Sequence, residues 1–115
     1  MKILHPTDFS ECAKQAEAAA VDLVGKLDGE LVLFLTLVET PLYGEGLISS
    51  QQVQAVYDAQ RKWAEETLER RAGDLRQRGI KASWRLQAGV PFEEIVKAAR
   101  EERADMIVML SLIHI

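Results

Sequence analysis

Cysteine is almost absent from this sequence: Cys12 is the only one in 115 residues. A disulfide framework and a cluster of thiolate metal ligands are thereby excluded. Histidine is nearly as scarce. His5 and His114 stand far apart, and no His–Glu pair has the spacing of a metal-binding helix, so no metal site is expected. No apolar run approaches ~20 residues, so no transmembrane helix is expected. The first residues, MKILHPTDFSE, meet a Pro and an Asp too early for the apolar core of a signal peptide. An excess of positive charge is also lacking: 14 Lys and Arg against 18 Asp and Glu leave a net charge of -4. That balance argues against binding nucleic acid through its phosphates. A reducing, cytoplasmic setting fits these absences.

What is present is an ordinary globular balance, 48% apolar and 28% charged, in a chain long enough for one domain. Lys2 to His5 form a short apolar strand ended by Pro6-Thr7-Asp8. Asp8 or Ser10 can cap the helix that follows, and Asp8 with Glu11 fits the spacing of a capping box. From Ser10 to Lys26, the residues Ala13, Ala16, Ala20, Leu23 and Leu27 recur at helical spacing, and small residues there let the helix lie close to a sheet. Asp28-Gly29 turns the chain. Glu30 to Val38 (ELVLFLTLV) is too continuously apolar for a half-exposed strand and reads as one covered on both faces.

Glu39 to Ile48 reads as a loop, long enough to be a mobile flap. Ser49 or Ser50 then caps a long helix to about Arg78. Its expected buried stripe is Val53, Val56, Tyr57, Gln60, Trp63, Ala64, Leu68, Ala72 and Leu75, with Gly79 as the residue just past its end. Ile80 to Leu86 alternates like an edge strand. Gly89 and Pro91 mark a turn into a short helix, Phe92 to Arg103, expected to bury Phe92, Ile95, Val96 and Ala99. Residues 104–109 (ADMIVM) read as a last, buried strand. The order β-α-β-α-β-α-β implies parallel strands and right-handed crossovers, hence a doubly wound α/β sheet of Rossmann-like type.

Chemistry is thinly marked. Ser10 and Ser111 have no identifiable base, so no nucleophilic catalysis and no enzyme is expected. Cys12, in the first turn of a helix, is either a reactive thiol or a small packing residue. The Arg and Glu of the long helix interleave as on a solvated face. Trp63 and Trp84 read as packing residues rather than a base-stacking platform.

Over residues 2–109 the chain resembles the universal stress protein family. The marks are ILHPTDFSE at the first strand end, Val38-Glu39-Thr40-Pro41 leaving the second strand, the long second helix, the GVP turn at Gly89 to Pro91, and ADMIVM. The resemblance implies five parallel strands in the order 3-2-1-4-5, with ligands at the switch point between strands 1 and 4. It also implies ATP or a related adenine nucleotide as ligand, a regulatory role in stress response, and a homodimer. By resemblance, Pro6, Thr7 and Asp8 form the wall beside the adenosine, Val38 offers backbone groups to the adenine edge, and Met109 precedes the phosphate-binding turn. A helix cap is the other reading of Asp8, and a plain strand end that of Val38. Where the family frequently has a His in the second strand, Thr36 stands here and reads as core packing.

The family's phosphate motif, Gly-x-x-Gly, nine residues, then Gly and Ser or Thr, should begin at position 110, where Leu110 stands instead. Its glycines let backbone N–H groups approach phosphate oxygens. The expectation is an incomplete domain over 1–109, without the family's last helix and fifth strand, followed by a non-native tail over 110–115. That tail, LSLIHI, is also what the transposon end CTG-TCT-CTT-ATA-CAC-ATC encodes. The uncharged run MIVMLSLIHI on an open strand edge predicts an edge-paired oligomer. An ATP-independent dimeric interaction module is the alternative function. An enzyme of a related nucleotide-binding fold would need a glycine turn after the first strand, and PTDFSE has no Gly.

Overall fold

The computed structural model describes residues 1–37 and 50–109. In chain order they form β1 (Lys2–Pro6), α1 (Glu11–Leu27), β2 (Glu30–Leu37), α2 (Ser50–Gln77), β3 (Lys81–Ala88), α3 (Pro91–Glu101) and β4 (Met106–Ile107). The strands make one parallel sheet in the order β3-β2-β1-β4. The expected flap over 39–48, the Ser49 cap and the tail over 110–115 lie outside the described residues.

Strand parity sorts the core into two layers. Ile3, Leu31, Leu33 and Leu35 point one way, onto Ala20 and Val24 of α1 and Ala64, Leu68, Ala72 and Leu75 of α2. Leu4, Val32 and Phe34 point the other way, onto Ala98 of α3. With both faces covered, β2 has no polar side to show, which is why its sequence is apolar throughout. Small residues on α1 (Ala13, Ala16, Ala20) are buried as expected, whereas Leu27 lies exposed and Val24 takes the inward position.

Turn chemistry settles the element ends. Asp28 adopts the left-handed conformation (φ 50°) that stops α1. Gly29 packs where an added Cβ would stand 2.6 Å from the Met1 carbonyl oxygen, so no side chain fits there. At the end of α2, Gly79 (φ 85°) donates to the Arg76 carbonyl and Ile80 to that of Leu75, the paired bonds of a Schellman motif. Pro91 opens α3 as expected, after a Val90 that provides no side-chain cap.

Three expectations of burial fail. The 28 residues of α2 span about 42 Å, whereas strands of 8 residues cover only about 27 Å. The N-terminal half of α2 therefore overhangs, leaving Val56 exposed and Trp63 56% exposed. Phe92 is 77% exposed at the start of α3, whose only fully buried side chain is Ala98. The last strand is not buried: Met106 and Ile107 are 38% and 42% exposed, and among the described residues β4 is an edge strand.

The apolar stripe of α2 thus divides energetically. Leu68→Ala is expected to cost about 2–5 kcal/mol by deleting a fully packed side chain. Trp63→Ala should cost only about 1 kcal/mol, the edge-to-face contact with Phe9 being its main partner. Urea denaturation of both variants measures the contrast.

Candidate functional site

The strand order reverses at β1. From β1 the chain steps to β2 and β3 on one side, then crosses back to β4 on the other. Parallel sheets leave a crevice beyond the carboxyl ends of the strands at such a switch point. The residues at that end are Pro6, the last of β1, with Thr7 and Asp8 after it, and Val108 and Met109 after β4.

The β1–α1 turn is closed by its own side chains. Thr7 is buried; its N–H donates to the Phe34 carbonyl (2.8 Å), and its Oγ1 accepts from Phe9 N–H (3.0 Å). Asp8 Oδ1 accepts from Ser10 N–H at 2.9 Å. Ser10 caps α1, its Oγ accepting from Ala13 N–H at 3.2 Å. Of the two candidate caps, then, Ser10 takes the role. The Asp8–Glu11 capping box does not form, and Glu11 pairs with Lys14 instead (3.2 Å). Phe9 adopts a positive φ of 61° and meets Trp63 edge-to-face, centroids 5.9 Å apart.

Asp8 is left exposed at the mouth of this turn. Its carboxyl is held below the usual carboxylate range first by the Ser10 hydroxyl and then by the Ser10 N–H. Such a carboxylate accepts hydrogen bonds from hydroxyl or amino groups and repels phosphate. Met109 lies 42% exposed at the end of β4. Pro6, Thr7, Asp8 and Met109 are therefore at one end of the sheet, on adjacent strands; Val38 lies outside the described residues. Cys12 is a half-buried free thiol. Among the described residues there is no group of His, Cys, Asp and Glu able to hold a metal ion, and no helix long and apolar enough to cross a membrane.

A buried polar line lies beneath this end of the sheet. His5 is fully buried, with Nδ1 2.8 Å from the Val108 carbonyl oxygen, and its Nε2 has no partner among the described residues. A carbonyl only accepts, so Nδ1 carries the proton. Glu17 of α1, 4% exposed, accepts from Arg71 of α2 through Nε (2.6 Å) and Nη2. Neither His5 nor Glu17 was singled out as a buried polar residue by sequence reasoning. Glu17 had a signal: it follows Ala13 by four and Ala16 by one, inside the inward arc of α1. A hollow of about 420 Å3 opens at the opposite end of the sheet between Glu30, Arg76 and Gly79–Ser83. Its Arg76 is committed to the Ala82 carbonyl (2.7 Å) and Glu69 (3.0 Å).

The family model described as the universal stress protein family matches residues 1–112. Universal stress protein MJ0531 of Methanocaldococcus jannaschii is 27% identical over 94% of this chain, which spans 62% of that protein's length. MJ0577 of the same organism is 31% identical, the match covering 94% of this chain and 74% of the relative. Its solved structure superposes with a TM-score of 0.80 at 30% identity, covering 94% of this chain and 72% of the other. A universal stress protein solved in complex with cAMP shares the fold at 16% identity, with a TM-score of 0.64 over 95% of this chain and 75% of that one.

Burial pushes the His5 imidazole below its ordinary value of 6.5, against the opposing pulls of the Val108 carbonyl and the Glu17 charge. In the unfolded chain it takes up a proton near 6.5; in the folded chain it does so only at lower pH. Stability from this residue is therefore complete above about 6.5 and is lost as pH falls toward the folded value. Thermal melts between pH 7.5 and 5 should show a decline that His5→Asn reduces. Glu17→Ala should cost about 1–3 kcal/mol, between the values for exposed and buried pairs because Arg71 is partly exposed. The match over 1–112, and the parallel sheet shared with MJ0577, place this chain in the universal stress protein family.

Proposed function

We propose that the carboxyl end of β1 and β4 is the adenosine half of an adenine-nucleotide site with a regulatory role in stress response. The observation that carries this reading is the exposed, ionised Asp8 on a hydrogen-bonded turn at the switch point, beside Met109. A carboxylate there suits ribose hydroxyls and not phosphates. Pro6 and Thr7 form the wall, Val38 meets the adenine edge, and Met109 leads toward the phosphates. The cAMP-bound relative supports only the capacity of the fold to take an adenine nucleotide, and a cytoplasmic setting accompanies the proposal.

Phosphate binding is a separate matter. Leu110 stands where the first glycine of the phosphate-cradling turn would lie. No rise in melting temperature is expected for this chain at millimolar ATP; a clear upward shift would overturn that expectation.

The second reading, a dimeric interaction module independent of ATP, is favoured by the edge of β4. Met106, Ile107 and Met109 are all substantially exposed there. An open apolar strand edge pairs readily with another chain. Light scattering should therefore find an oligomer, and a clean monomer would count against edge pairing.

A further inference from the structure

The pairing of β4 with β1 is unexpectedly short. Partners run Ile3↔Met106 and Leu4↔Ile107 and then stop. Val108 N–H still donates to the Leu4 carbonyl, at 3.0 Å. In a parallel ladder, successive residues of a strand send their N–H groups to opposite neighbours. Thr7 sends its N–H to Phe34 on β2, so the N–H of residue 6 belongs to β4, where the next acceptor is the Val108 carbonyl. Residue 6 is proline and has no N–H. The ladder ends for want of one hydrogen.

The Val108 carbonyl is not left bare. It lies 2.8 Å from Nδ1 of His5, the residue immediately before that proline. The His5 ring is fully buried. Its side chain therefore stands where the absent backbone donor would have acted.

We propose that His5 is a positioning residue for the site: its Nδ1–H replaces the missing N–H of Pro6 and fixes the carboxyl end of β4, at Val108 and Met109, against β1. That this end borders a nucleotide rests on the reading above; the clamp itself does not. The clamp also accounts for the orphaned Nε2. Commitment of the ring proton to Val108 fixes the tautomer and leaves a buried acceptor facing no donor among the described residues.

The test is amide hydrogen exchange of residues 105–109 in the chain without nucleotide, in five forms. His5→Leu should speed exchange at Val108 about five- to tenfold, the effect of losing one net hydrogen bond. His5→Asn, whose Nδ2–H2 occupies the Nδ1 position, should restore most of the protection. Pro6→Ala supplies a backbone N–H, so adding His5→Leu to Pro6→Ala should change exchange far less than His5→Leu does alone. A role in packing alone predicts equal effects in both backgrounds, and that result would overturn the proposal. So would a His5→Asn that exchanges like His5→Leu. Should His5→Leu fail to fold, 15N chemical shifts of the native imidazole decide: a protonated Nδ1 supports the clamp and a protonated Nε2 refutes it. ATP titration of any longer family chain carrying the glycine turn tests the nucleotide reading independently, since a clamp without nucleotide affinity leaves the exchange results intact.

Discussion

Strand β1 has neighbours on both sides and helices over it, so every polar group it carries must find its partner inside the protein. That is a demanding condition, because a buried donor or acceptor without a partner costs about 1–3 kcal/mol. Pro6 breaks the condition at one point by withholding an N–H. The consequences spread outward: β4 pairs over two residues only, the Val108 carbonyl needs a donor, and a histidine rather than an aliphatic residue stands at position 5. Because His5 shares the parity of Ile3, its ring enters the layer of α1 and α2, where buried Glu17 meets the partly exposed Arg71.

The alternation of strands and helices, the parallel sheet and the burial of β2 on both faces could be read from periodicity, because those features depend on residues near one another in sequence. The Schellman ending at Gly79 and the helix start at Pro91 were legible for the same reason. Burial at Trp63, Val56 and Phe92 was not. Their spacing fits an apolar helical stripe, but whether anything lies opposite depends on how far α2 outruns the strands and on what covers α3. Periodicity says which residues share a face; it does not say whether that face is occupied. The same limit applies to ADMIVM, whose apolar run reads as interior while its strand lies at a sheet edge.

At the site, the legible part was the turn itself. Pro6, Thr7 and Asp8 were named by the family resemblance, and the sheet puts them with Met109 at the end where the strand order reverses. The choice between Asp8 and Ser10 as helix cap was not legible, since both can accept from a first-turn N–H. The geometry separates their tasks: Ser10 stabilises α1, and Asp8 is held one step earlier with its charge toward solvent. This division leaves the Asp8 carboxylate outside the helix cap. A carboxylate spent on capping would direct its lone pairs to the first-turn N–H groups; Asp8 is fixed by Ser10 alone and stays exposed.

His5 and Asp8 lie three residues apart and meet opposite environments. Burial keeps His5 neutral, so at neutral pH it contributes a hydrogen-bond donor without a charge. The Ser10 hydroxyl and N–H keep Asp8 ionised, so it contributes a charge in a fixed direction. A protonated His5 would bring a second charge beneath the sheet, close enough to feel Glu17, while Glu17 is already engaged by Arg71. Acid would therefore load the junction of β1, α1 and α2, the same junction that carries the turn bearing Asp8.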